Sequence, residues 1–386
     1  MIVAIETHAP MKIIKWLYEK DPTALDNKYK FGKNALHSAA TSKAPPEVVE
    51  WILDLCPKLT KGRDSWGRTP LWRACNEPEI DPDVLMMLMN PIDVHVADRS
   101  GQTCLHAAVS NNTPIEMIAT ILRAAPDTIR IRDKQGRLPF HACASGGFAT
   151  IERLQFLLDA YPESIKAVDK NGSLALHLLC KRKAEPDILA FLMEEYPDSV
   201  RTMELISGAY PFHFACAAGL PLEVLNILYQ AYPEAATQTD REGNTVLHLI
   251  CEKRPSVELL DFVVDIHPEA VSIPNKRKNL PLHVAAANRA TWPVFERLIE
   301  LHRPAVWTIN GRGRLPIHDG FRVKLPNTTL VRFAQIFPPG LDLEDDAGKV
   351  PEEYTTEFKA KEFDKARFRY NMRHAWCPCC IFRPKE

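Results

Sequence analysis

The chain has 386 residues, with 48 basic against 49 acidic side chains, a formal net charge of −1 and 46% hydrophobic residues. That balance excludes the bulk electrostatic pull toward nucleic acid that a basic chain exerts. No apolar run approaches the roughly 20 residues of a membrane-spanning helix, and the opening MIVAIETHAP carries Glu6 without a basic leader, so it does not read as a secretion signal.

Taken in chain order, residues 9–25 (APMKIIKWLYEKDPTAL) match a later stretch, PPEVVEWILDLCPKL at 45–59, an amphipathic helix closed by a proline. The turn and first helix that precede the later stretch have no counterpart here. Residues 1–25 therefore read as a partial repeat, either an N-terminal cap or the inside of a longer array. From residue 26 to 351 the sequence returns on itself. A marker histidine recurs as His37, His106, His141, His177, His213, His248, His283 and His318, with Trp72 in the one missing place, at steps between 34 and 36 residues. A fixed period of this length signals stacked supersecondary units. Length alone predicts two or three domains; the periodicity predicts one array of nine units instead. A catalytic centre is needed once, so eight copies of one imidazole predict a structural part.

Every unit has the same grammar. A turn such as DKQG (133–136) or DREG (240–243) opens it, because Asp accepts from the backbone two residues on and Gly tolerates positive φ. A short helix follows, often with proline two residues before the marker (Pro70, Pro139, Pro211, Pro281, Pro316), where the missing N–H is not needed. After a break, a longer amphipathic helix such as LEVLNILYQAYP (222–233) is predicted, with Leu222, Leu225, Ile227 and Leu228 on the buried face. A proline such as Pro126, Pro233 or Pro304 ends it. Cysteines follow the period too: Cys75, Cys180, Cys216 and Cys251 stand three residues after the marker and Cys143 two, which reads as small buried thiols in a reducing compartment.

The turn–G-x-x-P-L-H-x-A–helix–helix unit, plainest in GRLPFHACASGG (136–147) and NLPLHVAAANRA (279–290), resembles the ankyrin repeat over residues 26–351. It departs from that pattern in a period near 35 instead of about 33. A YP-like pair also replaces the usual glycine after the second helix, and Leu205 stands where one turn aspartate is lost. The resemblance implies an all-α solenoid of stacked helix–turn–helix repeats with short β-turn or hairpin tips. It also implies that the histidines tie helix to turn and unit to unit, and that a protein partner binds through the tips and concave face.

Near the C-terminus, DDAGKVPEEYTTEF (345–358) starts a tenth turn with Glu353 at the marker position. Residues 352–373 read as a charged cap helix carrying Tyr354, Phe358, Phe363, Phe368 and Tyr370. Residues 374–386 form a Cys-rich tail with Cys377, Cys379 and Cys380 beside His374. Metal binding and acylation of this tail stay open beside a plain exposed tail.

No enzyme signature is present: there is no G-x-S-x-G, no phosphate-cradling G-x-x-x-x-G-K and no H-E-x-x-H. The expectation is a monomeric, non-catalytic adaptor without a cofactor, in the cytoplasm or nucleus, binding a protein partner and no nucleic acid. The alternatives are a membrane-tethered adaptor using an acylated tail, or a substrate-recruiting subunit of an enzyme complex. The five tip residues of the nine units hold 13 basic and 6 acidic side chains. Arg68, Arg99, Lys134, Arg137, Lys276, Arg277, Lys278, Arg312 and Arg314 are therefore the partner-binding candidates, suited to an acidic or phosphorylated segment.

Overall fold

Proline and glycine decide where each element begins. In the computed structural model, which describes residues 1–77, 80–90 and 92–354, all nine repeats run turn, short α-helix, break, longer α-helix, 3₁₀ turn, and no strand occurs among the described residues. The first helices are six to eight residues long, as in Pro139–Ser145 and Pro281–Ala287; most second helices have ten, as in Leu222–Ala231. Helices this short are not stable alone and depend on packing. Accordingly Pro281, Leu282, His283, Val284, Ala285 and Ala286 are all buried in Pro281–Ala287, where alanines let neighbouring first helices approach closely.

The chain divides into two compact units, Met1–Leu205 and Ile206–Glu386. Within each, first helices of consecutive repeats lie side by side: Cys104–Ser110 against Pro139–Ser145 in one, Pro281–Ala287 against Pro316–Arg322 in the other. Second helices bury one face. In Leu222–Ala231 that face is Val224, Leu225 and Leu228, while Leu222 and Ile227 are exposed, which corrects the expectation from the sequence. The reason is angular. At 100° per residue Ile227 lies 200° from Leu225, so the two cannot share a stripe.

The closing prolines do more than stop a helix. Pro57, Pro126, Pro162, Pro197, Pro233, Pro268 and Pro338 each begin a 3₁₀ turn, after a residue held extended near φ −140 to −150°. A second correction concerns the start. The stretch at 9–25 is preceded by a short helix, Ile2–Glu6, whose Ile5 is buried and whose Glu6 carboxylate accepts from Ser38 Oγ at 3.0 Å. The cap helix expected at 352–373 is described only over the 3₁₀ turn Pro351–Tyr354; its remainder and the Cys-rich tail lie outside the described residues. Cys75, Cys104, Cys143, Cys180, Cys216 and Cys251 are fully buried free thiols, and burial pushes Cys143 and Cys180 up to about 12.

Successive tips are joined backbone to backbone. Lys134 N–H donates to Ser100 C=O and Lys170 N–H to Gln135 C=O in the first unit; Lys276 N–H donates to Glu242 C=O and Gly311 N–H to Arg277 C=O in the second, all at 2.8–2.9 Å. This ladder explains the tip glycines. At Gly101 (φ +84°) a Cβ would stand 2.7 Å from Lys134 N, so a side chain would both strain the backbone and push the next tip away.

Candidate partner-binding face

Each tip is fastened by the histidine of the repeat before it. Nδ1 accepts the backbone N–H three residues earlier, at 3.1–3.4 Å in all eight rings. Nε2–H donates to a carbonyl of the following repeat at 2.8–3.1 Å. His37, His106, His248 and His283 reach the residue just after the turn glycine position: Arg68, Arg137, Asn279 and Arg314. His141, His177, His213 and His318 reach the residue leading into the turn: Ala167, Thr202, Gln238 and Leu343. One donor and one acceptor are what a neutral imidazole has. Burial lowers the pKa of every one, to about 4 for His141, His177 and His283, so the rings are uncharged at neutral pH.

The exceptions keep the same bonds by other means. Trp72 donates its indole N–H to Gln102 C=O at 3.0 Å, the position Arg68 and Arg137 hold for His37 and His106, and Thr69 Oγ caps the helix from Trp72 N–H. Glu353 accepts Val350 N–H at 3.1 Å, as each Nδ1 does. Replacing His248 by alanine leaves Thr245 N–H and Asn279 C=O buried and unmatched. The expected cost is about 1 to 3 kcal/mol, checked by the shift in urea midpoint at unchanged slope.

The turn residue eight before the marker accepts two backbone N–H groups, not one. Asp64 Oδ1 takes Trp66 and Arg68, Asp133 takes Gln135 and Arg137, and Asp345 takes Ala347 and Lys349, at 2.8–3.2 Å. In three turns the other oxygen faces an arginine of the preceding tip. Arg68 approaches Asp98 at 3.5 Å, Arg137 approaches Asp169 at 3.6 Å, and Arg314 bonds Asp345 at 2.8 Å. Burial raises the Asp345 carboxyl, but Arg314, Tyr354 and the two N–H groups outweigh it and hold the group well below the usual range.

These bridges sort the nine basic candidates. Arg68, Arg137 and Arg314 spend their guanidinium on the next turn. Arg99, Lys134, Lys276, Arg277, Lys278 and Arg312 are the candidates without such a bridge, and among the described residues the side chains of Lys276, Lys278 and Arg312 form no ion pair. Arg277 has one loose partner, Glu242 at 3.7 Å, with both groups largely in water, a pairing of little worth.

In the second unit the tips and first helices enclose a groove of about 290 Å3, lined by Arg277, Arg312, Arg314 and Arg322 together with Glu242, Glu252 and Asp319, Asp319 pairing with Arg322 at 3.5 Å and Arg314 at 4.0 Å. Arg322, from the exposed side of a first helix, escaped the sequence reading because that reading compared tips alone. Two turns beneath this groove carry Asn where others carry Asp. Asn275 accepts Arg277 and Asn279 N–H at 3.0 Å each, and Asn310 accepts Arg312 and Arg314 N–H at 2.9 and 3.1 Å. The amide groups then donate sideways, Asn275 to Asn244 and Asn310 to Asn279, both at 2.8 Å.

No protein-family model matches the chain. An ankyrin repeat-containing protein of Schizosaccharomyces pombe is 28% identical over 135 residues, which is 34% of this chain and 57% of that protein. The SMC5-SMC6 complex localization factor protein 1 of Bos taurus is 32% identical over 88 residues, 23% of this chain and 8% of that protein. This chain thus matches about half of the first relative's length and a small part of the second. Among solved structures, the ankyrin repeat domain of Bcl-3 aligns with a TM-score of 0.43 at 22% identity, over 59% of this chain and 96% of that domain. No helix among the described residues is long and apolar enough to cross a membrane. The turn, the paired helices, the fastening histidine and the tip ladder recur along the array, and over 135 residues the chain is similar to a named ankyrin repeat-containing protein.

Proposed function

We propose that the chain is a non-catalytic adaptor, and that the tips and groove of its second unit receive an acidic segment of a partner protein. The observation that carries this reading is the pair Asn275 and Asn310. Both accept the two turn bonds that Asp accepts elsewhere, so the turn does not need the change. What the change removes is two negative charges directly beneath Lys276, Arg277, Lys278 and Arg312. The tip cations outnumber the groove's carboxylates Glu242, Glu252 and Asp319, and such an excess attracts carboxylates, with guanidinium groups binding oxyanions in a bidentate fork.

The test is the double variant N275D/N310D, which restores both charges with an isosteric group. Its affinity for a labelled oligoglutamate peptide is expected to fall about tenfold, read without denaturant on chain shown to be folded, because losing the two sideways amide bonds to Asn244 and Asn279 also lowers the unfolding midpoint. A K276E/R277E/K278E variant should abolish binding, and raising the salt should weaken the parent. Unchanged affinity in N275D/N310D would overturn the reading.

A further inference from the structure

At the residue six before the marker, most tips carry a polar or charged side chain, but the first two repeats carry Phe31 and Trp66. Phe31 is 61% exposed and Trp66 41%, with their ring centroids 5.2 Å apart and the planes tilted by 41°. Trp66 is held still. Arg68 lies 5.6 Å and Arg73 5.1 Å from its ring, Arg68 also packing 4.1 Å from the buried Trp72. Arg73 is fixed in turn by a forked pair of bonds to Asp64 at 2.9 and 2.5 Å. Phe31 adopts φ +61°, ψ +25°, a left-handed conformation that costs a non-glycine residue stability. Its ring is mostly in water, so burial does not offset that cost. Strain kept at an exposed aromatic side chain is the kind that persists where a function selects it.

From this we infer that the joint outer surface of the contacting Phe31 and Trp66 rings is a second, separate docking point, taking a single aromatic or large aliphatic side chain from an acidic segment of a protein partner. The acidic flank follows from the surroundings. Lys28, Lys30 and Lys33 crowd the first tip, whereas the Asp64 and Asp98 carboxylates are consumed by turn N–H groups and arginines. A rigid aromatic pair already braced by guanidinium groups loses little freedom on binding, and Trp and Arg are the residues in which interface energy concentrates. Single-stranded nucleic acid fits less well, since two contacting rings tilted by 41° offer one small platform and no run of parallel faces for successive bases.

This inference stands apart from the acidic-groove reading, which concerns the other unit. It is tested on the full chain with three fluorescent probes: the peptide Glu-Glu-Phe-Glu-Glu, its Phe-to-Ala counterpart, and an oligo(dT) of about fifteen nucleotides. The background is K276E/R277E/K278E, so that the other cluster cannot contribute. The Phe peptide is expected to bind at least about tenfold more tightly than the Ala peptide. F31G, which keeps the left-handed backbone accessible while deleting the ring, and W66A should each erase that difference. F31G should do so without lowering the unfolding midpoint, which separates lost docking from lost folding. Equal binding of the two peptides, no binding of the Phe peptide, an undiminished preference in F31G, or tighter binding of oligo(dT) would each overturn the proposal.

Discussion

Acidifying from pH 7 to pH 5 is expected to remove about 2 kcal/mol of stability for each of His141, His177 and His283. All three are buried with a pKa of about 4, against 6.5 in the unfolded chain. Between those values the unfolded state binds more protons than the folded state, so stability rises with pH. The contribution is complete above pH 6.5, declines as the pH falls below it, and is exhausted near pH 4. The first unit holds two of these rings and should lose about 4 kcal/mol at pH 5; the second holds one. His37, His106, His213, His248 and His318 are shifted the same way and add to the loss. Glu77 and Asp319, whose carboxyls burial raises, work in the opposite sense and trim it at the low end. Urea midpoints from pH 7.5 to 4.5 check this. A flat profile across that range would mean that the rings are not buried as neutral fasteners. In a His141→Gln/His177→Gln variant most of the first unit's slope should disappear.

The same rings show why so much of this fold was legible. A residue that satisfies both its own helix cap and the next repeat's carbonyl has few substitutes, Trp72 being one, so it recurs at the period and announces it. The turn aspartate and the first-turn proline are legible for the same reason, each answering to a local backbone need. The hidden part depends on contacts between residues some 31 apart on adjacent repeats. Arg68, Arg137 and Arg314 look like surface cations in a tip alignment, yet each faces the aspartate of the next turn. The 3₁₀ turns were hidden because a proline after a helix specifies a stop and leaves the conformation of the next residues open. Leu222 and Ile227 were misplaced because an apolar residue at a helix's first position, or 200° around from its neighbour, still counts toward an apolar tally. In the candidate surface, the exposed cations could be read from position alone. The charge-deleting role of Asn275 and Asn310 required seeing that their turns keep both N–H bonds.

Phe333→Ala is expected to cost the second unit about 3 to 5 kcal/mol. Phe333 and Phe295 come from consecutive second helices, Asn327–Ile336 and Trp292–Leu301, and both are almost wholly buried. Their centroids are 5.0 Å apart at 69°, and Trp292 meets Phe333 edge-on at 5.9 Å, with Arg332 lying 4.9 Å from the Trp292 ring. Removing the central ring deletes a large apolar volume between these helices and two edge contacts, each adding about 0.5 to 1.5 kcal/mol beyond area. Side chains as short as Leu330 and Leu298 cannot refill that space without leaving their own contacts. Because a repeat leans only on its neighbours, the damage should stay near the site. Amide exchange should quicken over 292–301 and 327–336, while Val224, Leu225 and Leu228 keep their protection. The turn at 310–314 lies between the two helices in sequence, so oligoglutamate binding should weaken in Phe333→Ala as well, yet recover when urea is absent and temperature is lowered. In N275D/N310D it should not recover under any such condition, because there the cations remain in place and the field around them has changed. A cost below about 1 kcal/mol for Phe333→Ala would mean that the second helices are held by their backbone turns and not by this aromatic contact.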